Sequence, residues 1–357
     1  MVEDNTIVYN EDLSSILGEL SDIMMRKGEP FKSRAYKKAE ETIYGFKGNI
    51  TSANDVKGLP GIGEAIQKKL SEYIETGEVK LLIKERNNPI NILTNVHGIG
   101  PKRANALIEK GITTVELLSE NKSMLNDVQQ KGLRYYSDLL ERIPREEIDT
   151  FELQFKDVFE QLKCNGCRFE IVGSYRRGAA SSGDIDILIT DAENNKNLLS
   201  SLIQKLRESN IIVDILSQGK SKCMAIMRTS NGVARRLDLL YTPPSEFPFA
   251  ILYFTGSKAF NTSMRGHALK LGFSLNEHGL SIMNKKKKKK GDIVPLDATK
   301  EQDIFDALGL EFKEPSDRED YTSVVIINKM PPILDYNKAA NNAPNNAPNK
   351  APNNAPN

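Results

Sequence analysis

No apolar stretch in this 357-residue chain approaches the ~20 residues of a membrane span, and the net charge is only +1. No membrane-spanning helix is therefore expected. The near balance of charge also removes any global basic signature, and without the six-lysine run Lys285 to Lys290 it would be −5, that is 1 minus 6. Any contact with a polyanion must come from local clusters. Cysteine is equally sparse, and Cys164, Cys167 and Cys223 fit a reducing compartment. Cys164-Asn-Gly-Cys167 has C-x-x-C spacing, but no second pair or nearby histidine completes a zinc site and no thioredoxin-like context surrounds it. The segment reads as a turn leading into the strand Arg168-Phe-Glu-Ile-Val172. The acidic, polar opening Met-Val-Glu-Asp-Asn is not a signal peptide, so the chain is expected inside the cell and not secreted.

The length exceeds the roughly 250–300 residues at which single cores stop growing, so two or more domains are expected. From about residue 10 to 140 the pattern is of short amphipathic helices. From about 168 onward, β-branched runs such as Ile211-Ile-Val-Asp-Ile-Leu216 alternate with helical stretches. A helical front half thus precedes an α/β half. The last 21 or so residues repeat Asn-Asn-Ala-Pro and Asn-Lys-Ala-Pro, which offer no apolar face and read as disordered.

What is present is concentrated in residues 173 to 186, Gly-Ser-Tyr-Arg-Arg-Gly-Ala-Ala-Ser-Ser-Gly-Asp-Ile-Asp. Asp184 and Asp186 are two apart, so on a strand both carboxylates project from one face while Ile185 and Ile187 bury on the other. Such paired hard oxygen donors suit Mg²⁺ completed by substrate phosphates. The preceding glycines, the hydroxyls of Ser174, Ser181 and Ser182, and the guanidinium pair Arg176 and Arg177 supply what a triphosphate needs. Together these form the toolkit of a nucleotidyl transferase.

The front half holds an internal repeat. Leu59-Pro-Gly-Ile-Gly63 and Val96-His-Gly-Ile-Gly100 each lead into an amphipathic helix carrying lysines. This is the helix-hairpin-helix pattern, in which Gly61, Gly63, Gly98 and Gly100 permit a tight turn. The turn exposes backbone N–H groups at a helix start, where phosphate binds without sequence reading. A dinucleotide-binding reading is poor, since neither copy reaches a third glycine.

These motifs, with Tyr253-Phe-Thr-Gly-Ser257, Asn261, Arg265 and the linker Arg142-Ile-Pro-Arg-Glu-Glu147, resemble the family X DNA polymerases from about residue 10 to 325. The layout is closest to DNA polymerase beta, and no BRCT-like region precedes the motifs. The resemblance implies an α+β multidomain fold with five segments. These are a helical lyase-like domain with the first hairpin (8–84), a helical DNA-binding subdomain with the second (85–143), a mixed-sheet catalytic palm (144–243), a small α/β nucleotide-selection subdomain (244–325) and the tail (326–357). It also implies two Mg²⁺ ions, with Mn²⁺ an acceptable substitute, and a monovalent cation at the hairpins.

Residue by residue, the resemblance implies that Asp184 and Asp186 bridge both ions and that Asp238 binds the catalytic one. In Arg235-Arg-Leu-Asp-Leu-Leu240 that aspartate alternates with Leu237 and Leu239, as a polar position on a strand should. Arg236 would orient its carboxylate and lie near DNA. Arg142, Ser174, Arg177, Ser182 and Gly183 match triphosphate-holding positions, while Arg176 should point away and be structural. Tyr253, Phe254 and Gly256 would line the sugar side of the pocket, with a cis peptide between Gly256 and Ser257. Taken singly, the two aromatics read as core. Asn261 and Arg265, four apart on one helix face, match minor-groove contacts to the new pair and template. Lys258 departs from the acidic residue of the beta layout.

A lyase is suggested by Lys69, at the edge of the stripe Ile66, Leu70, Tyr73 and Ile74, with Lys68 facing water. Partial burial among cations lowers a lysine's pKa and frees its amine for a Schiff base. Lys69 aligns with the family's Schiff-base lysine, and Lys32, Tyr36 and Lys37 with its 5′-phosphate positions. Ala65 and Phe31 depart from that pattern, and the bland alternative is a lysine contacting DNA phosphate. The six-lysine run reads as a mobile loop, with an electrostatic handle on DNA or a nuclear-localisation signal as alternatives.

The expectation is a monomeric, gap-filling DNA polymerase of base-excision repair. It would act on gapped or nicked DNA and dNTPs, alongside repair-protein partners, in the nucleus or a viral replication compartment. The rivals are a template-independent terminal transferase or other nucleotidyltransferase, such as an RNA-tailing one, and a non-catalytic DNA-binding scaffold.

Overall fold

The computed structural model describes residues 7–334 apart from 47, 230, 285–288 and 332. The repetitive last 21 residues and four residues of the lysine run therefore lie outside the described residues. Two compact units emerge, one comprising the described residues of Met1–Arg142 with Asn210–Gln218 and Met224–Arg236, the other those of Ile143–Ser209, Gly219–Cys223 and Leu237–Asn357. No helix among the described residues is long and apolar enough to cross a membrane.

The first unit opens with α1 (Asn10–Arg26) and α2 (Pro30–Tyr44), followed by α3 (Glu64–Thr76) and α4 (Lys80–Arg86). Leu13, Leu17, Leu20 and Met24 recur at helical spacing and join Tyr36, Ala39, Ile43, Ile66, Leu70 and Leu82 in one core. Each such aliphatic residue contributes about 1.5–3 kcal/mol on burial. A second core gathers Leu93, Val96, Ile99, Ala104, Leu107, Leu118 and Leu125. It is built by α5 (Pro89–Thr94), α6 (Pro101–Ile108), α7 (Val115–Glu120), α8 (Asp127–Arg134) and α9 (Tyr136–Leu140).

Residues 210–236 were expected wholly in the catalytic half, yet 210–218 and 224–236 group with the helices. Polar contacts account for the difference. Lys131 Nζ donates to Ile215 O at 3.0 Å, Tyr135 Oη to Asp214 at 2.6 Å, and the Ala234 N–H to Asp138 at 2.9 Å.

In the second unit, β1 (Ile143–Pro144) pairs with β3 (Ser181–Ser182), and α10 (Arg145–Glu160) presents Phe151, Phe155 and Phe159 on one face. Phe155 and Phe159 meet Phe169 of β2 (Arg168–Ile171) at ring separations of 4.9 and 5.1 Å. The mixed sheet has the order β2-β4-β7-β6-β5, with β4 spanning Ile185–Thr190, β5 Ile212–Gln218, β6 Lys222–Arg228 and β7 Ala234–Tyr241, of which β5, residues 224–228 of β6 and residues 234–236 of β7 belong to the first unit. β2 runs antiparallel to β4, and β4 parallel to β7. The short α11 (Gly173–Arg176) leads from β2 toward β3, and α12 (Leu198–Glu208) buries Leu199, Leu202, Ile203 and Leu206. Between β2 and α10, a turn with Lys163 at φ 49° and Gly166 at φ 61° brings Cys164 and Cys167 together. Their Cα atoms lie 5.5 Å apart, on the turn expected there from the sequence.

The carboxyl-terminal part consists of α13 (Phe247–Thr255), α14 (Lys258–Leu271), the antiparallel strands β8 (Phe273–Asn276), β9 (Gly279–Asn284) and β10 (Lys289–Ile293), and α15 (Glu301–Leu308). Its core holds Phe260, Met264, Phe273, Leu280, Ile304 and Phe305. Two expectations change here. Lys289 and Lys290 belong to β10, paired with Asn284 and Met283, so the lysine run is partly strand. The tail does not start at 326. Ile326 bridges Leu310, the N–H groups of Ile327 and Asn328 both reach Gly309 O at 3.0 Å, and Ile333 is 2% exposed within the core.

Candidate active site

Parallel pairing of β4 with β7 sets Asp186 and Asp238 opposite each other in register. Alternation along β4 buries Ile185 and Ile187 on the far face, while Asp184 stands one residue ahead of the strand and half-buried. Asp238 is 4% exposed, and its Oδ2 meets Lys222 Nζ at 3.1 Å. Asp186 is pushed up to about 6, first by burial and then by the charge of Asp238, against a smaller lowering by Lys222. A buried and a half-buried carboxylate side by side thus form a site short of positive charge, and the Lys222 ammonium stands in for part of it. That donor set fits a hard divalent cation. The three aspartates do not close on a common centre: among the described residues no three His, Cys, Asp or Glu side chains converge in metal-holding geometry.

The loop leading to these carboxylates is held backbone-close. Gly173 takes φ 68°, and a Cβ there would stand 3.2 Å from Asp186 Oδ2. Ser174 Oγ donates to the buried Ser182 Oγ at 2.8 Å, and Gly183 is exposed. Tyr175 turns outward from the site onto Asp149 and Glu152, at 2.7 and 2.9 Å. Burial, then those two carboxylates, push its hydroxyl well above the usual range. Arg145 lies 4.2 Å over its ring.

The adjacent arginines diverge. Arg177 Nη1 donates to Thr255 O at 2.6 Å. Arg176 reaches Glu170, Thr255 Oγ1 and Glu301 at 3.0, 2.8 and 2.8 Å. Thr255 ends α13, and the following Gly256–Ser257 peptide is cis. Tyr253 and Phe254 stand edge to face with centroids 5.1 Å apart. Asn261 Nδ2 donates to Tyr253 O at 2.6 Å, while Arg265 is exposed one turn further along α14. Arg142 is exposed at the end of the first unit, and Arg236 is half-buried on the same strand face as Asp238.

In the first unit the two hairpins share one local geometry. Gly61 and Gly98 both have φ 85°. Gly63 (φ −79°, ψ 170°) caps α3, and Gly100 (φ −86°, ψ 171°) caps α6. Nothing lies within 4 Å of a Cβ built on Gly63 or Gly100, so each helix start is open. Lys69 Nζ donates to Ala65 O at 3.0 Å and stands 5.9 Å from the Tyr36 ring centre. Burial raises the Tyr36 hydroxyl above its ordinary value, against the opposing charge of Lys32. The other expected phosphate ligands are already paired, Lys32 with Glu29, Lys37 with Glu40 at 2.7 Å and Lys68 with Glu64 at 2.8 Å. These pairs are exposed or, for Lys37 with Glu40, half-buried, and of small worth, so a phosphate can displace them.

Sequence reasoning missed Lys222, Glu301 and Arg318. Lys222 was visible only as the charged head of the apolar run Lys222-Cys-Met-Ala-Ile-Met-Arg228. Glu301 and Arg318 carry no local signal.

Facing aspartates on parallel strands, entered through a glycine-serine loop, define the nucleotidyltransferase class. Residues 142–244 match the family DNA polymerase beta palm and 250–319 the DNA polymerase beta thumb. Residues 8–79 match the helix-hairpin-helix domain and 91–140 the fingers domain of DNA polymerase lambda. The chain is similar to DNA polymerase lambda of Rattus norvegicus, 32% identical over 325 residues, covering 87% of this chain and 56% of that protein. It is 31% identical over 344 residues to DNA polymerase lambda of Arabidopsis thaliana, covering 88% of this chain and 64% of that one. To the DNA nucleotidylexotransferase of Xenopus laevis it is 28% identical over 351 residues, 86% of this chain and 67% of that protein. This chain thus spans only 56 and 64% of the two lambda relatives' length. It belongs to the family X DNA polymerases, with its likeness spread over beta and lambda members.

Proposed function

We propose that the chain is a template-directed, gap-filling DNA polymerase that adds dNTPs to a primer 3′-hydroxyl, with a 5′-deoxyribose phosphate lyase in residues 8–84. The facing of Asp186 and Asp238, with Lys222 standing in for a cation, carries the polymerase reading. Two divalent ions held by Asp184, Asp186 and Asp238, Mg²⁺ by the hardness of the donors, would supply charge neutralisation at the attacking and leaving oxygens.

The protein's own groups position the substrate. Ser174 and Ser182 would exchange their mutual hydrogen bond for phosphate oxygens, and Arg177 its bond to Thr255 O for a charge-assisted one. The close backbone at Gly173 and the exposed Gly183 leave room for the triphosphate. Asn261 fixes Tyr253 through its carbonyl, which holds the ring on the sugar side. The open starts of α3 and α6 would each receive a DNA phosphate flanking the gap. In the lyase step the Lys69 amine would condense with the sugar's C1′ aldehyde, losing water to form an imine.

Likeness to a DNA nucleotidylexotransferase favours one second reading, template-independent addition. One-nucleotide-gapped DNA bearing a 5′-deoxyribose phosphate separates them when compared with single-stranded primer. Templated extension confined to the gap supports the first reading, and equal addition of all four dNTPs to single strands supports the second. Borohydride trapping that persists undiminished in Lys69→Ala removes the lyase assignment alone.

A further inference from the structure

We propose that Glu301 is a positioning residue that couples the loop reading the triphosphate to the turn reading the sugar. The inference rests on the polymerase reading above. Glu301 opens α15 with 8% exposure and commits both carboxylate oxygens. Oε2 accepts from Arg176 Nη2 at 2.8 Å, and Oε1 accepts from Arg318 Nη1.

Each arginine then grips one side of the 255–257 turn. Arg176 Nη1 donates to Thr255 Oγ1 at 2.8 Å, beside the Arg177 bond to Thr255 O. On the other side, Arg318 O accepts from the Ser257 N–H at 3.0 Å, and the next carbonyl, Glu319 O, accepts from Ser257 Oγ. Arg318 is fully buried, its Nε bonded to Lys313 O at 2.9 Å and its guanidinium 5.4 to 5.8 Å from the ring centres of Phe260, Phe305 and Phe312. It cannot shift without dragging Ser257.

A Cβ on Gly256 would stand 3.2 Å from Arg177 Nη1, so the turn also abuts the guanidinium expected on the triphosphate. When Arg177 leaves Thr255 O for a phosphate, one tether of the turn is lost. The Thr255 hydroxyl and Ser257 remain as tethers, and Glu301 joins them through Arg176 and Arg318. With the carboxylate intact the turn keeps its shape under the bound nucleotide, so the wall facing the sugar stays firm. Neutralising Glu301 leaves the buried Arg318 guanidinium without its carboxylate partner, leaves the half-buried Arg176 with Glu170 alone, and lets the wall relax.

The test uses the full chain on one-nucleotide-gapped DNA, comparing wild type, Glu301→Gln and Thr255→Val. Glutamine preserves shape and removes charge. Valine preserves shape and removes only the hydroxyl tether, which guards against a failure to fold in the first variant. Both variants are expected to lower the dNTP-over-rNTP ratio of kcat/KM by about tenfold, the scale of one lost charge-assisted bond. The same ratio is read from equilibrium binding of non-hydrolysable dNTP and rNTP analogues to the protein–DNA complex. A wild type that binds with discrimination but does not extend counts against the polymerase reading and leaves the coupling measurable. An unchanged ratio in both variants, with only a lowered Tm, overturns the proposal and makes Glu301 a purely structural residue.

Discussion

Asp186 and Asp238 face each other in register across two parallel strands, one pushed up to about 6 and the other clasped by Lys222 at 3.1 Å. The proposed chemistry and the stability of the metal-free protein meet at this pair.

The first prediction concerns pH. The folded-state pKa of Asp186, about 6, lies above its ordinary value of 3.8, so folding favours the protonated form. Stability from this group is complete below 3.8 and is lost as pH rises through about 6. Asp186→Asn should therefore stabilise the metal-free protein at pH 7.5, by at most about 3 kcal/mol, and flatten its pH dependence between 4 and 6.5. Chemical denaturation in a chelator measures both. Parallel pH profiles for the two proteins would contradict the assignment.

A second follows from the stand-in cation. Lys222→Met removes a half-exposed ammonium from Asp238, which should cost about 1 kcal/mol in the absence of metal. Because a competing charge is gone, Mn²⁺ should raise the variant's Tm more than the wild type's. Thermal titration with Mn²⁺ alone decides, and an equal or smaller rise counts against competition at this carboxylate.

The hairpins provide a third. Gly98 sits at φ 85° with a would-be Cβ 3.2 Å from Val128 Cγ1, so Gly98→Ala is both strained and crowded. A loss of about 1–2 kcal/mol is expected. Gapped-DNA affinity should fall with little change in the salt slope, since the backbone N–H groups, and no side-chain charge, are displaced. Fluorescence anisotropy across a salt series measures it.

Much of the candidate site is legible in the sequence, because its motifs are local. Asp184 and Asp186 are two apart, Asn261 and Arg265 four apart, and each hairpin is a five-residue pattern. Asp238 was placed by the family resemblance with its alternation among leucines in support, whereas its register opposite Asp186 depends on strand pairing. What escaped notice is long-range. Arg176 meets Glu301 across 125 positions, and Lys222 approaches Asp238 from a neighbouring strand. The pairs of Lys32, Lys37 and Lys68 with Glu29, Glu40 and Glu64 are of the opposite kind, three or four positions apart and so legible at helical spacing. Ile333 stands near a low-complexity stretch, and only its burial beside α15 reveals it as core.

The central claim is templated nucleotide addition at the Asp186 and Asp238 pair, and single-turnover incorporation on one-nucleotide-gapped DNA tests it most directly. With Mg²⁺ and the complementary dNTP, wild type should fill the gap by one nucleotide, and Asp238→Ala should slow that step by at least about a hundredfold while still binding the DNA. Undiminished filling by Asp238→Ala would contradict the account.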